Sequence, residues 1–418
     1  MIPIKLIKIR QTFDRDSILD VERLVREQLS AARWTLRPGD QVALAVGSRG
    51  IANLARIVKV VADYVREKGG QPFVAPAMGS HGGATAEGQL GVLASYGVTE
   101  RQMGCAVRSS METVELSAVG LEHRLFMDRH AYLSDGVILI NRIKPHTDYH
   151  GTYESGLVKM SVIGLGKERQ ASEIHRFGVY GLKELIPRAA ERVLSSGKIM
   201  LGLGIVENAY EETAIIEAVE PERIMSREPE LLDQARRRMP GLPIDRLDAL
   251  IVDRMGKDIS GVGLDTNIIG RLKISGQPEP ETPAIRMVVV TDLTYQSHGN
   301  ATGIGLADIT TRRLLEKIDF AATCKNVVTS SFLERGKLPV VAETDREALE
   351  FALRACGPIP QGREKIIRIK DTLHLDELYV SQAVLDEIRG MGAIEIIGGF
   401  EELFDEHGSL TCVLTTEG

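Results

Sequence analysis

Residues 141–175 carry the densest set of side chains in this sequence that could move protons or bind a metal. Three of the nine histidines of the chain, His146, His150 and His175, lie in this segment, and Lys159 lies between them. Histidine titrates near neutral pH and is a frequent metal ligand. Glycine and serine punctuate the segment, which is typical of loops that carry reactive groups. We therefore treat residues 141–175 as a candidate reaction centre.

Two glycine-rich loops upstream supply further candidates. They are residues 46–54, VGSRGIANL, and residues 78–89, MGSHGGATAEGQ. Their candidate groups are Ser48, Arg49, Gly79, Ser80 and His81. The Gly-Ser pairs offer backbone N–H groups that could cradle a phosphate at a helix N-terminus. Gly-Ser before a helix is also an ordinary capping turn, so this alternative stays open.

The two loops and the histidine segment share one topological position. Apolar runs predict strands at residues 41–46, 72–77 and 136–142, and each candidate loop follows one of them. In open α/β sheets, ligand sites gather at the carboxyl ends of the strands. We therefore expect four side chains to converge there: Arg49, His81, His146 and Lys159.

Each of these residues also has an ordinary structural interpretation. His81 could be a surface turn histidine, although its small neighbours leave the imidazole open for acid/base work. His146 could be a hydrogen-bonded loop histidine, or could form a two-histidine metal pair with His150, although no HExxH motif follows. Lys159 could be a snorkelling core lysine or a desolvated nucleophile. His175 could simply end a helix, favourably placed against its dipole.

The rest of the chain predicts an α/β protein of two domains. Short apolar runs alternate with amphipathic helical stretches, which indicates mostly parallel sheets. A charged helix interrupted by Met-Pro-Gly-Leu-Pro spans residues 221–246 and has the composition of a hinge or linker. We predict a catalytic domain at 1–245 and a second α/β domain at 246–418, which includes a helix near 307–317. The active site is expected in the cleft between the domains.

Composition excludes several classes of protein. The 418 residues are 43% hydrophobic and 26% charged, as in soluble globular proteins. The formal charge of −7, with no basic cluster interleaved with aromatic residues, argues against a nucleic-acid partner. We find no signal peptide and no run of about 18 apolar residues, so we expect a cytoplasmic protein without a membrane partner. The scattered cysteines form no C-x-x-C pair and are expected to be reduced.

The order of the motifs resembles that of the lactate racemase family, which uses a nickel-pincer nucleotide cofactor. GSHGGAT, a Pro-His pair, Ser-Gly-x-x-Lys, a glycine-rich turn and a histidine 16 residues after the lysine follow one another within residues 79–175. The resemblance implies that His81 and His146 act as opposed acid/bases. It also implies that Lys159 is joined covalently to the cofactor and that His175 completes the coordination of nickel.

The resemblance extends to residues that bind cofactor and substrate. Ser48, Gly79 and Ser80 would lie against the cofactor, and Arg49 would hold cofactor or substrate. The second half of the chain offers further polar groups for substrate binding: Gln296, Lys257, His298 and Arg271.

The chain departs from the family pattern at three places. Val46 stands where the first motif usually has aspartate, and Gly50 stands where it has proline. The stretch between His146 and Lys159 is a few residues longer than in the better-known racemases. His150 therefore competes with His146 for the acid/base role.

The sequence thus predicts an isomerase that racemises or epimerises a lactate-like 2-hydroxy acid. Transient hydride transfer to the nickel-pincer nucleotide (pyridinium-3,5-bisthiocarboxylic acid mononucleotide) avoids a carbanion, and two histidines would serve the two faces of the planar intermediate. The partners would be the small substrate and the enzymes of cofactor synthesis. Two alternatives stay open: a nicotinamide-dependent oxidoreductase using the turns GLGIVE and GIGLAD, and a non-catalytic ligand-binding homologue.

Overall fold

The computed structural model covers nearly the whole chain. It describes residues 4–48, 50–411 and 414. Arg49 lies outside the described residues, so its predicted role gains no structural account. The three cysteines within the described ranges are free thiols. Among the helices of these ranges, we find none with the length and apolar character needed to cross a membrane.

The chain divides into two compact units. The N-terminal unit spans Asp14–Met239, and the C-terminal unit combines Met1–Phe13 with Pro240–Gly418. Proline disfavours helical backbone in the residue before it, and Met239 is accordingly extended, with φ −63° and ψ 140°. The charged helix of the predicted linker therefore ends where the first unit ends.

The strands of the described residues are β1 (Lys5–Gln11), β2 (Gln41–Val46), β3 (Gln71–Pro76), β4 (Thr113–Leu116), β5 (Leu125–Asp128), β6 (Gly136–Arg142), β7 (Ile199–Glu207), β8 (Thr213–Val219), β9 (Arg246–Val252), β10 (Ala284–Val290), β11 (Ile309–Thr311), β12 (Val340–Ala342), β13 (Ile366–Ile369), β14 (Glu377–Val380) and β15 (Ile394–Glu402).

The helices of the same ranges are α1 (Val21–Ala31), α2 (Leu54–Glu67), α3 (Ala86–Ser95), α4 (Glu100–Met103), α5 (Arg129–Leu133), α6 (Leu157–Lys159), α7 (Lys167–His175), α8 (Gly178–Tyr180), α9 (Ile186–Leu194), α10 (Pro221–Arg238), α11 (Thr266–Ile269), α12 (Arg312–Leu315), α13 (Phe320–Ser330), α14 (Asp345–Ala355) and α15 (Gln382–Ile388). Two π-helical segments, Met160–Gly164 and Gly181–Leu185, continue α6 and α8.

The N-terminal unit is built on one mostly parallel sheet in the order β3-β2-β6-β7-β8. Strands β3, β2, β6 and β7 run parallel, and β8 pairs antiparallel with β7. β2 is buried at every position after Gln41, as expected for an apolar strand inside a parallel sheet. The strands predicted at 41–46 and 136–142 are confirmed.

The C-terminal unit is built on a mixed sheet in the order β12-β11-β10-β9-β13-β14-β1-β15. Its first five strands run parallel, whereas β14, β1 and β15 are antiparallel to their neighbours. Apolar side chains of β9, β10 and β13 pack against α14 in its core. The chain is therefore an α/β protein with two α/β units, as predicted.

Two parts of the C-terminal unit differ from the expectations. Residues 5–11 were expected in the first domain, but β1 pairs with β14 and β15, where Arg10 forms ion pairs with Glu377 and Glu395. The prediction of a helix near 307–317 is wrong. Its β-branched residues form β11, which pairs with β10 and β12, and only the four residues of α12 are helical.

Candidate active site

Three loops meet at the carboxyl edge of the N-terminal sheet because β3, β2 and β6 are parallel neighbours. The loop after β2 packs against the segment after β6, since a Cβ on Gly47 would lie 3.1 Å from Met160 Cε. The loop after β3 packs against the same segment, because the N–H of Gly79 donates to the carbonyl of Gly164 (3.2 Å). Gly79 has a φ of +61°, which favours glycine. Both loops therefore close on the helical segment that carries Lys159.

His81 belongs to the loop after β3 and is paired with the loop after β2. Ser48 Oγ lies 2.6 Å from His81 Nδ1, in a hydrogen bond where the hydroxyl can donate or accept. The loop is fixed because Gln89 donates to the carbonyl of Gly79 (2.8 Å) and the N–H of His81 donates to Met78 (3.1 Å). A partner on Nδ1 orients an imidazole for proton transfer through Nε2.

The loop that carries His146 is held by the carboxylate of Glu154. His146 is only 8% exposed, and Glu154 accepts the N–H groups of His146 (2.5 Å) and Gly151 (3.2 Å). Arg236 of α10 donates to the same carboxylate (2.7 Å). Burial alone would raise the pKa of Glu154, but hydrogen bonds from His150, His146 and Arg236 hold it below its ordinary value. A charged Glu154 thus pins the loop at neutral pH.

The imidazole of His146 contacts Lys159 directly. Lys159 Nζ lies 2.5 Å from His146 Nε2, and the N–H of Asp148 donates to Nδ1 (3.0 Å). The ring centroid of Tyr149 is 4.7 Å from that of the imidazole and 5.7 Å from Lys159 Nζ. Burial raises the pKa of Tyr149 well above its ordinary value, so its hydroxyl stays neutral. The lysine therefore has an aromatic and a nitrogen partner in a mostly enclosed setting.

His175 ends α7 within electrostatic reach of Lys159. Burial lowers the pKa of His175, a protonated Lys159 lowers it further, and Asp148 opposes the shift. An imidazole that is neutral at pH 7 keeps a lone pair for a metal ion. The charge of the predicted covalent lysine thus acts on the predicted metal ligand.

His150 occupies a different position from His146. Its side chain is 38% exposed, and its Nδ1 lies 3.4 Å from Glu154 Oε1. His150 therefore contacts the carboxylate that pins the loop, whereas His146 contacts Lys159.

A buried ion pair supports the loop of His81. Lys167, fully buried at the start of α7, lies 3.1 Å from Asp128 Oδ2. It also donates to the carbonyl of Pro76 at the end of β3 (2.5 Å) and to Gln89 (3.1 Å). Burial lowers the pKa of Lys167, and the charge of Asp128 offsets part of that shift. Lys167 therefore ties α7 to the end of β3 through Pro76 and to the end of β5 through Asp128.

Glu228 of α10 lies at the start of the helix that carries Lys159. Its carboxylate accepts the N–H of Val158 (2.8 Å) and occupies the space that a Cβ on Gly156 would need. Burial raises the pKa of Glu228 to about 7, although the N–H groups of Leu157 and Val158 oppose the shift. Negative charge is favourable at a helix N-terminus, so the ionisation of Glu228 is coupled to this segment.

The predicted residues of the N-terminal unit fall into two contacting groups. Ser48 is paired with His81, and His146 contacts Lys159, whose charge also acts on His175. Both groups lie on loops or helices that follow the carboxyl ends of the sheet. Gly79 packs on the same segment, and Ser80 is exposed beside it.

The remaining predicted residues lie in the C-terminal unit. Gln296 is exposed on a short turn after β10, and Lys257 donates to a backbone carbonyl and to Asn326 (3.1 Å). Arg271 is buried and forms an ion pair with Asp308 (2.5 Å). Its guanidinium also donates to backbone carbonyls, so Arg271 has a structural role within this unit.

Comparison with known proteins finds a likeness among solved structures. No protein-family model and no curated protein matches the sequence. Among solved structures, the lactate racemase apoprotein from Thermoanaerobacterium thermosaccharolyticum matches with a TM-score of 0.50 at 12% identity, over 88% of this chain and 98% of that chain. The chain has a lactate racemase-like fold. At this identity the likeness concerns the fold alone.

Within the described ranges, no group of three or more His, Cys, Asp or Glu residues is placed to hold a metal ion. A metal bound at His175 would therefore need most of its donors from a ligand. Ni(II) accepts such mixed donor sets in a tetragonal arrangement.

Four residues that shape the site were not predicted: Asp148, Glu154, Lys167 and Glu228. Asp148 and Glu154 lie within a few residues of His146 and His150, and a carboxylate close to a histidine is a recognisable signal of orientation. Lys167 and Glu228 gave no such signal, since single charges in charged helices usually face solvent. Their roles depend on burial against distant parts of the chain.

Proposed function

We propose that this protein racemises or epimerises a lactate-like 2-hydroxy acid by transient hydride transfer to a nickel-pincer nucleotide. The observation that carries the proposal is the contact between His146 and Lys159, with His175 within electrostatic reach, on a lactate racemase-like fold. These residues would supply an acid/base, an amine and a metal ligand.

The residues present fit such a cofactor. Lys159 is half-buried against Tyr149 and His146, where its amine can form a covalent bond to a thiocarboxylate carbon. His175 offers a neutral imidazole to nickel because burial lowers its pKa. Ser48, Gly79 and Ser80 would line the nucleotide. When bound, the group accepts hydride from the substrate Cα and returns it.

The chain itself moves the hydroxyl proton. We assign this role to His81 and His146, one for each enantiomer, because planar 2-oxo acids accept hydride on either face. Ser48 holds His81 through Nδ1 (2.6 Å), which fixes the orientation of the ring. The substrate carboxylate and hydroxyl are assigned to Arg49, Gln296 and Lys257.

Cofactor loading tests the proposal before any substrate is known. The chain should be co-expressed with the cofactor-synthesis enzymes and examined by intact mass and nickel analysis. We expect a covalent adduct on Lys159 and about one nickel per chain, and a Lys159→Arg variant should lose the adduct. Lys198→Arg is the matched control, because Lys198 is also half-buried beside a tyrosine ring (5.1 Å). Absence of both adduct and nickel would refute the proposal.

Histidine variants test the acid/base assignment. His81→Gln and His146→Gln should abolish interconversion of enantiomers while nickel content is retained. His123→Gln is the control, since His123 is buried to a similar degree at 6% exposure and bonds a backbone carbonyl (2.7 Å). Unchanged turnover in the first two variants would contradict the assignment.

The nicotinamide alternative gains no support from the fold. GLGIVE lies inside β7, and GIGLAD forms a short turn before β11. Dinucleotide phosphates bind where a glycine-rich turn joins a strand to a helix N-terminus. Neither segment has that context. Absorbance from substrate-dependent nicotinamide reduction would favour this alternative over the racemase.

A further inference from the structure

The C-terminal sheet reverses its direction of winding between β9 and β13. These two strands are parallel neighbours. The chain after β9 re-enters the sheet as β10 on one side of the pair, and the chain after β13 re-enters as β14 on the other side. In open α/β sheets, ligands bind outside the carboxyl ends of the strands at such a switch point. Arg254 follows β9 there, and its N–H donates to the carbonyl of Lys370 after β13 (3.1 Å).

A buried carboxylate orients a histidine at the switch point. Asp371 is fully buried, and its Oδ1 accepts the N–H groups of Leu373 (3.0 Å) and His374 (2.9 Å) and lies 2.7 Å from His374 Nδ1. Burial alone would raise the pKa of Asp371, but the contacts with His374 hold it below its ordinary value. An ionised carboxylate only accepts hydrogen bonds, so Nδ1 carries a proton and Nε2 of the neutral ring has a lone pair.

Arg254 lies on the other oxygen of the same carboxylate. Its Nε is 3.4 Å from Asp371 Oδ2, so a single carboxylate separates the guanidinium from the imidazole of His374. Among the residues that the structure describes, none hydrogen-bonds to the terminal nitrogens of Arg254 or to Nε2 of His374. The two side chains are 43% and 38% exposed. Both groups are therefore accessible to a ligand.

The chemistry of the two groups specifies a ligand. A guanidinium fork matches the two oxygens of a carboxylate, and a neutral Nε2 accepts the hydrogen of a hydroxyl group. The charge of Asp253, at the end of β9, is offset by the buried Arg368 (2.7 and 2.9 Å), so it does not cancel the attraction of Arg254 for an anion. The backbone contacts of Asp371 suffice to hold its turn. Its contacts with the ring and the guanidinium orient groups that reach solvent.

We propose that Arg254 and His374, bridged by Asp371, bind a small hydroxycarboxylate at the carboxyl edge of the C-terminal sheet. The terminal N–H groups of Arg254 donate to the carboxylate, and the hydroxyl group of the ligand donates to Nε2 of His374. The site uses no residue assigned to the proposed reaction and shares only its ligand class with the proposed function.

A titration of the cofactor-free full chain with L-lactate tests the site. The chain is labelled with carbon-13 histidine, and its ring signals are followed at pH 8, where an ordinary imidazole is neutral. The signal of His374 is assigned by its absence from the spectrum of His374→Gln or His374→Phe. His407 of the same unit, 79% exposed beside Glu406, is the internal control. Propanoate, which lacks the hydroxyl group, and sodium chloride at equal ionic strength are the comparison titrants.

We expect L-lactate to shift the His374 signal saturably and to leave that of His407 in place. Propanoate should bind about fivefold more weakly, because it lacks one neutral hydrogen bond. Arg254→Gln should weaken the binding of L-lactate by about tenfold or more, because it loses a charge-assisted contact. Arg312→Gln is the matched control, since Arg312 is 48% exposed and paired with a carboxylate (2.7 Å) in the same unit.

Three results would overturn the proposal. They are a His374 signal that does not move, an equal response to propanoate or to chloride, and equal weakening by Arg254→Gln and Arg312→Gln. The first two come from the wild-type chain and hold even if a variant at Arg254 fails to fold. Because no cofactor is used, a saturable shift in a chain that never binds nickel would refute the proposed function and leave this site. Racemisation by the loaded chain, with the His374 signal unmoved by L-lactate, would do the reverse.

Discussion

Glu228 should make the N-terminal unit less stable as pH rises, which is unusual for a carboxylate. Burial raises its pKa to about 7 from an ordinary 4.5, so the folded chain binds a proton that the unfolded chain has released. Stability contributed by the protonated form is complete below about pH 4.5 and is lost as pH rises through about 7. With about 1.4 kcal/mol per pKa unit, the loss between pH 5 and 8 is about 2.5 kcal/mol.

The substitution Glu228→Gln removes the titrating carboxyl, and with it the pH-dependent contribution to stability, and can keep an acceptor for the N–H of Val158. We expect the free energy of unfolding of the wild type, relative to the variant, to fall by about 2.5 kcal/mol from pH 5 to 8. Urea unfolding followed by the fluorescence of Trp34, the one tryptophan of the chain, reports on this unit. Glu230→Gln is the control, because Glu230 lies in the same helix at 64% side-chain exposure. A pH-independent difference for Glu228→Gln, or an equal trend for Glu230→Gln, would refute the reasoning.

Three further predictions follow from the same unit. Lys167→Met should lower the free energy of unfolding by about 3–5 kcal/mol, because it leaves Asp128 charged and buried; Trp34 fluorescence in urea measures it, and a loss below about 1 kcal/mol would contradict the buried pair. Relative to His175→Gln, the wild type should lose stability as pH falls below about 6.5, because the unfolded chain binds a proton that the buried imidazole resists; parallel stability curves would rule this out. Ser48→Ala should lower turnover of the cofactor-loaded protein about tenfold and shift the acidic limb of its pH–rate profile. Nickel content is the control, and an unchanged pH–rate profile would show that Ser48 does not orient His81.

Much of the fold could be predicted because the residues of its central strands form a recognisable local pattern. β2 and β6 are uninterrupted apolar runs, since a strand inside a parallel sheet is buried on both faces. β11 could not be predicted, because three residues carry no periodicity and its strand character comes from pairing with β10 and β12. The position of β1 in the C-terminal sheet could not be predicted either, because its partner strand β14 lies near the other end of the sequence, where Arg10 pairs with Glu377.

The candidate site was predictable where residue type alone suggests chemistry. Histidines in glycine-rich loops after strands are rare enough to single out, and in the structure His81 contacts Ser48 and His146 contacts Lys159. The supporting charges were not predictable, since Glu228 caps a helix from 70 residues away and nothing near it in the sequence differs from a solvated helix face. The raised pKa of Glu228 comes from its burial, which no local sequence pattern shows.

Hydrogen bonds within the loop between His146 and Lys159 hold the histidine beside the lysine. Lys144 and Ser155 exchange backbone hydrogen bonds (2.9 and 3.2 Å), which closes the loop at its base. Within the loop, the carboxylate of Glu154 accepts the N–H of His146 and contacts His150. The loop is therefore closed at its base and held from within, and His146 contacts Lys159. These contacts favour our proposal of His146 as the acid/base, because His150 contacts the carboxylate that holds the loop.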